Sequence, residues 1–156
     1  MNLNLRKATK SDLQKTFDWV NNEKIRRFSI NSQLVRFESH EKWFLEKIES
    51  SETAYYLLEN ETGDRLGSIR FDLHQKNGKI NYLLDPKYHG MGLGSCLLKY
   101  GIIQLEKDYP SICTVYGWVF KSNIASIKIF EKLQFRIGEQ TNDMLRFEYQ
   151  MKRNED

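Results

Sequence analysis

A single-domain α/β (α+β) fold, with a mixed, mostly antiparallel central sheet and helices on both faces, is what this sequence predicts. Three observations carry that prediction. Strand-like and helix-like segments succeed one another in the order β-α-α-β-β-β-α-β-α-β-β. The three consecutive strands are separated by turn signals at residues 60–64 and 75–78, which makes them an antiparallel meander. The last of them runs into a glycine-rich loop, Gly90-Met91-Gly92-Leu93-Gly94, that opens a helix. At 156 residues the chain has room for a sizeable core. The domain is expected to span 1–152, with 153–156 a polar tail, and there is no repeat, low-complexity segment or linker.

Each element has its own reason. Residues 2–8 alternate, with Leu3 and Leu5 on one side and Asn4 and Arg6 on the other, so they form a strand. Thr9-Lys10-Ser11-Asp12 offers a helix N-cap, and Leu13, Phe17 and Val20 recur at helical spacing, with Trp19 at the edge of that face. Asn21-Asn22 ends the helix, and residues 23–37, containing Ile25, Phe28 and Ile30, predict a short helix or loop. Phe37-Glu38-Ser39-His40 opens a second helix, with Ser39 as its N-cap and Trp43, Phe44 and Ile48 as its apolar face. Strands follow at 53–58, 66–73 and 79–84, the last two joined by a hairpin whose turn signal is Asn77-Gly78. The amphipathic run 95–105 is a helix, broken by Asp108-Tyr109-Pro110. Residues 112–120 are rich in types that favour extended backbone. Lys121-Ser122-Asn123 caps a last helix with Ile124, Ile127 and Leu133 among its apolar positions, and 135–137 and 144–151 close the sheet as a pair.

Composition narrows the function. Net charge is +3, from 24 basic and 21 acidic residues, too mild for a nucleic-acid partner. No apolar run approaches a membrane span and the N-terminus lacks a signal-peptide core, so a cytoplasmic protein without a membrane partner is expected. The two cysteines, Cys96 and Cys113, are no disulfide framework and are expected to be reduced structural thiols. No Cys/His cluster has metal-ligand spacing, so no metal is expected.

The chemistry is concentrated in Asp85-Pro86-Lys87-Tyr88-His89-Gly90-Met91-Gly92-Leu93-Gly94-Ser95. Its glycines put no side chains in a ligand's path and allow backbone angles other residues resist. Unpaired N–H groups and the helix dipole favour an anion there. The preceding strand, the Pro86 break and the following helix favour a phosphate or pyrophosphate cradle over a loop that only turns the chain.

The whole pattern resembles the GNAT superfamily of acyl-CoA-dependent N-acetyltransferases. The family's pyrophosphate signature, Gln/Arg-x-x-Gly-x-Gly/Ala, reads here His89-Gly90-Met91-Gly92-Leu93-Gly94, with His89 in place of Gln or Arg. Its second signature, Asn-x-x-Ser/Ala-x-x-x-Tyr-x-x-x-Gly-Phe, reads here Asn123-Ile124-Ala125-Ser126-Ile127-Lys128-Ile129-Phe130-Glu131-Lys132-Leu133-Gln134-Phe135. The resemblance implies acetyl-CoA as donor and strands 4 and 5, here 79–84 and 115–120, splayed apart to admit its pantetheine arm. It implies backbone pairing from Leu83 and Leu84, a pyrophosphate site on His89, Gly90, Met91, Gly92, Leu93, Gly94 and Ser95, and pantetheine contacts from Asn123, Ser126 and Phe130. Asn123 is compatible with a second role as helix N-cap. The implied oxyanion donor is a strand N–H near Leu83. The family's usual proton donor to the leaving thiolate is a tyrosine seven residues after the asparagine, where this chain has Phe130. Tyr116 and Ser126 are the alternative donors, and Tyr82 or His40 the candidates for relaying the amine's proton.

The acceptor end resembles the branch that acetylates nucleotide-linked amino sugars in pseudaminic acid biosynthesis. The carrying residues are Trp19-Val20-Asn21, with Val20 where that branch has Arg, then Glu38-Ser39-His40-Glu41-Lys42-Trp43-Phe44 and Val119-Phe120-Lys121-Ser122-Asn123. Arg26, Arg27 and Arg70 are available for a diphosphate, and Trp43, Trp118 or Phe28 for a flat base. The substrate-binding candidates are Arg26, Ser29, His40, Trp43 and Arg70. The leading expectation is direct transfer of acetyl to a primary amine in a ternary complex, by a monomer or homodimer. Alternatives are a protein N-terminal or ribosomal-protein acetyltransferase, a polyamine acceptor, and a non-catalytic acetyl-CoA-binding domain.

Overall fold

In the computed structural model, which describes residues 1–29 and 33–152, the chain starts with strand β1 (Leu3–Lys7) and helices α1 (Leu13–Val20), α2 (Glu23–Arg26) and α3 (Phe37–Glu49). Strands β2 (Thr53–Asn60), β3 (Arg65–His74) and β4 (Asn77–Leu84) follow, then helix α4 (Leu93–Asp108), strand β5 (Thr114–Phe120), helix α5 (Ile124–Lys132), and strands β6 (Arg136–Gln140) and β7 (Met144–Gln150). Ile30 and the tail 153–156 lie outside the described residues. The strands form one sheet in the order β1-β2-β3-β4-β5-β7-β6, antiparallel throughout except for the parallel pair β4–β5.

Alternation along the strands sorts side chains between the two faces. Tyr56 and Leu58 of β2, Ile69 and Phe71 of β3, Ile80 of β4, Val115 of β5 and Phe147 of β7 share a core with Leu97, Leu98 and Leu105 of α4 and Phe130 of α5. Each fully buried Leu or Phe contributes roughly 1.5–3 kcal/mol. The opposite face carries Tyr55, whose ring meets Phe44 at 5.6 Å and Trp43 at 6.3 Å from α3. Helices therefore cover both faces, as the sequence predicts.

Three local expectations are corrected. Trp19, expected at the edge of its apolar face, is 2% exposed. Its Nε1–H donates to Asp85 Oδ2 at 2.9 Å, so the ring can be buried with its polar tip satisfied. Ser39 is not the N-cap of α3. The helix begins at Phe37 with Arg36 as cap, because Phe37 packs edge-on against Phe17 of α1 at 5.2 Å. The β3–β4 turn is Gln75-Lys76 rather than Asn77-Gly78. Gln75 takes the left-handed conformation (φ 56°), and the Lys76 carbonyl accepts from the amides of Cys113 and Thr114, drawing Asn77 into the sheet opposite His74.

The feature that positions the site is the junction of β4 and β5. They pair only at Asn77↔Thr114, Gly78↔Val115 and Lys79↔Tyr116. Beyond Lys79 the strands part, while β4 stays paired to β3 and β5 to β7.

Candidate active site

The gap between β4 and β5 opens into a cleft of ≈ 990 Å³ that reaches from the start of α4 to α2 and α3. Which groups of β4 face the gap follows from the ladder. The Asp85 amide donates to Leu66 O at 2.8 Å, and antiparallel pairs alternate between bonded and non-bonded, so Leu83 directs its N–H and C=O at Ser68 on β3. The peptide groups of Tyr82 and Leu84 point the other way, into the gap. Leu83 is therefore corrected as a source of free backbone groups; only its side chain lines the cleft. Leu84 faces the gap as expected, with its carbonyl accepting from His89 Nε2 at 2.9 Å.

The loop that follows is a cradle. Asp85 caps the 3-10 turn Pro86–Tyr88, accepting from the Lys87 amide at 2.9 Å. Burial pushes the Asp85 carboxyl up, but the Trp19 N–H, the Lys87 amide and Lys15 outweigh it and hold the group below its ordinary range. Gly90 and Gly92 both take positive φ, 79° and 76°, and a Cβ on either would stand in open space. Gly92 is the N-cap of α4, so the first amides of that helix are free to face a ligand. His89, Gly90, Gly92, Leu93, Gly94 and Ser95 all line the cleft; Met91 does not and is 55% exposed.

The α5 wall is formed by Asn123, Ser126, Ile129 and Phe130. Asn123 is the N-cap, accepting from the Ser126 amide at 3.3 Å. Phe130 is buried, stacked on Phe147 at 5.0 Å and edge-on to Tyr82 at 6.0 Å. The Tyr82 hydroxyl lies 2.6 Å from Ser126 Oγ. Tyr116 is at the closed end of the gap, beneath the Arg146 guanidinium at 4.0 Å, and does not line the cleft.

The far end is aromatic and basic. Arg26, Ser29, Trp43 and Arg70 come together there with Lys24, Arg27, Phe28, Tyr55 and Trp118. The Arg70 guanidinium sits 4.8 Å over the Trp43 ring and 3.2 Å from Asp72, which also holds Lys47 at 3.1 Å. Burial raises the Asp72 carboxyl, but Arg70 and Lys47 outweigh it and leave the group below its ordinary range. His40 is corrected as a cleft residue. It is buried among Phe17, Trp43 and Phe44, outside the lining. Thr16 Oγ1 lies 2.9 Å from His40 Nε2 and also within hydrogen-bond reach of the Asp12 and Leu13 carbonyls. Burial alone pushes the His40 pKa down. Sequence reasoning missed Tyr55, Ser68, Asn81 and Gly117, which line the cleft from four different strands.

Acetyltransferase (GNAT) domains match residues 2–136. The chain belongs to the GNAT acetyltransferase family. It is 24% identical to the acetyltransferase PseH of Campylobacter jejuni subsp. jejuni over 141 residues, 90% of this chain and 87% of that protein. It is 28% identical to the spermine/spermidine N(1)-acetyltransferase of Bacillus subtilis over 71 residues, 44% of this chain and 46% of that protein. The crystal structure of spermidine N-acetyltransferase from Vibrio cholerae in complex with CoA and spermine superposes with a TM-score of 0.86 at 15% identity, covering 96% of each chain.

As a GNAT N-acetyltransferase the chain uses acetyl-CoA, and its own residues suit that donor. The parted strands leave backbone groups that need a strand-like amide partner, and the glycine cradle leaves helix amides for an anion. Among the described residues, no group of three or more His, Cys, Asp or Glu could hold a metal ion, and no helix is long and apolar enough to cross a membrane. Cys96 and Cys113 form no disulfide and are half-buried.

Proposed function

We propose that this acetyltransferase acts on the primary amine of an anionic acceptor, a nucleotide-linked amino sugar, by direct attack in a ternary complex. One observation carries the reading. The acceptor end of the cleft is lined by Lys24, Arg26, Arg27 and Arg70, and no Asp or Glu is among the described lining residues. A polyamine brings several positive charges and needs carboxylates; this wall repels it. A diphosphate is attracted by the same wall, and guanidinium groups match its geometry. Trp43 under Arg70, with Trp118 and Phe28, offers flat surfaces for a base.

Acetyl-CoA, when bound, supplies the thioester carbonyl. His89, Gly90 and Gly92 to Ser95 would hold its pyrophosphate, and Asn123 with the gap-facing peptide groups of Tyr82 and Leu84 would hold the arm. The N–H groups of Tyr82 and Leu84 are the donors available to a developing oxyanion. Arg26, Arg27 and Arg70 orient the acceptor so that its nitrogen enters from the α1–α3 face. Cysteines outside any disulfide and these two substrates suit a cytoplasmic setting.

The test is thiol release from acetyl-CoA against UDP-linked amino sugars, an N-terminal peptide and spermidine. Turnover of a nucleotide amino sugar, with spermidine inert, is expected. Preference for spermidine or for the peptide would overturn the reading.

A further inference from the structure

The face of the gap toward α4 and α5 is built from Ile80, Tyr82 and Leu84 of β4, Gly117 and Val119 of β5, and Phe130 of α5. Apart from Tyr82 these side chains carry no proton donor. Ser126, one turn before Phe130, supplies the only hydroxyl that the Tyr82 oxygen meets among the described residues, at 2.6 Å. Ser126 is buried, Tyr82 is half-buried, and both border the cleft. The two hydroxyls satisfy one another across an otherwise apolar wall, and the pair has acceptor capacity and one further proton to offer toward the cleft. The wall lies where β4 directs its peptide groups into the gap, so it borders the path of the donor's arm.

We propose that Tyr82 is the catalytic proton donor to the departing coenzyme thiolate, with Ser126 as its positioning residue. The acceptor nitrogen's lone pair forms the new C–N bond. The C–S bond breaks, its electron pair stays on sulfur, and the Tyr82 O–H proton neutralises it. The proton shed by nitrogen goes to water, and Tyr82 is reprotonated from water through Ser126. Ser126 Oγ–H donates to the Tyr82 oxygen as negative charge builds on it, while the Phe130 ring holds the phenol edge-on at 6.0 Å. Burial raises the Tyr82 pKa, partly opposed by Ser126, so the phenol carries its proton at neutral pH. The inference rests on the acetyl-CoA chemistry of the family and not on which amine is accepted.

The test compares Tyr82→Phe, Ser126→Ala and Ser126→Thr. Tyr82→Phe keeps the ring that packs on Phe130. It is expected to keep acetyl-CoA affinity and to lose about 10²-fold in kcat, at the low end for a lost general acid. The second readout needs no turnover. The thiol of bound coenzyme A, followed by thiolate absorbance across pH, titrates below its free value in the wild type and returns toward it in Tyr82→Phe. Ser126→Ala lowers kcat in the same direction and Ser126→Thr restores it. Wild-type kcat in Tyr82→Phe, or an identical thiol titration in the two proteins, overturns the proposal. So does a loss confined to acetyl-CoA affinity. If Tyr82→Phe does not fold, full activity in Ser126→Ala overturns it, and loss rescued by Thr supports it. If no amine is turned over, the thiol titration alone decides, which separates failure here from failure of the acceptor assignment.

Discussion

Gly67→Ala should damage the coenzyme site from outside the cleft. Gly67 is on β3 opposite Leu84, and its φ is not in the left-handed region, so the substitution brings no backbone strain of its own. An added Cβ would stand 2.5 Å from the Leu83 carbonyl oxygen and 3.2 Å from Leu84 Cα. Real Cβ atoms essentially never come within 3.0 Å, so β4 must retreat by at least 3.0 − 2.5 = 0.5 Å at Leu83. The obstacle is backbone, which cannot rotate away as a side-chain tip can. The shift is passed to the peptide groups of Tyr82 and Leu84 that face the gap. Overpacking of this kind costs about 1–3 kcal/mol. At about 2–4 °C per kcal/mol for a chain of this size, Tm falls by about 2–12 °C. If about 1.4 kcal/mol of the strain appears on binding, the Kd for coenzyme A rises about tenfold. Calorimetric titration and thermal unfolding measure the two effects. Gly63→Ala is the control. Gly63 has φ +83° in an open turn with nothing within 4 Å, so the variant should lose stability with no loss of affinity. Unchanged Kd and unchanged Tm in Gly67→Ala would refute the argument that this contact sets the β4 backbone.

Gly92→Glu should abolish coenzyme A binding, because a carboxylate would be placed at the helix N-cap and the residue forced to hold φ 76°; normal binding in a titration would show that the cradle is elsewhere. His40 is buried with its pKa depressed, so the neutral ring is favoured in the folded state. Its contribution to stability is full above the ordinary value of 6.5 and is lost as pH falls below it through the folded value. Thermal unfolding of the wild type should therefore weaken more steeply over that window than that of His40→Gln, and equal slopes would exclude His40 as the cause. Arg70→Gln should raise KM for an anionic acceptor and move the acidic limb of the kcat profile to higher pH, whereas a KM change with an unmoved limb would leave Arg70 a binding residue only.

The fold was legible because its signals are local. Alternation marked the strands, and glycine, proline and asparagine marked their ends. The glycine loop and the α5 wall of the cleft were legible for the same reason, since His89 to Ser95 and Asn123 to Phe135 are contiguous stretches. Finer features depended on contacts between distant residues. Trp19 looks like an edge residue until Asp85, 66 residues away, is seen to satisfy its N–H. Leu83 and Leu84 are neighbours with equal claim in the sequence, yet peptide direction alternates along a strand and only one of them can face the gap. The acceptor end drew on α2, α3 and three strands, and no local pattern in the sequence joins Lys24, Tyr55, Ser68 and Asn81.

The same contacts account for a site with no Asp or Glu among its described lining residues. An amine attacks only when neutral, and an ordinary alkyl ammonium is protonated at pH 7. Asp72 lies behind Arg70 and is held by Lys47 as well, so this trio carries a net charge of +1. Lys24, Arg26 and Arg27 add to it on the same side of the cleft. Cations near an ammonium disfavour its charged form, and so does removal from water. For the anionic acceptor we propose, the wall that attracts it would also lower the pKa of the amine it carries, and the proton could leave to water before attack. A carboxylate at this end would have reversed the effect by stabilising the ammonium. Recruitment of the acceptor and activation of its nitrogen are thus two consequences of one charge distribution. The remaining proton transfer is on the opposite face of the sheet, where the wall is apolar and the Tyr82–Ser126 pair stands.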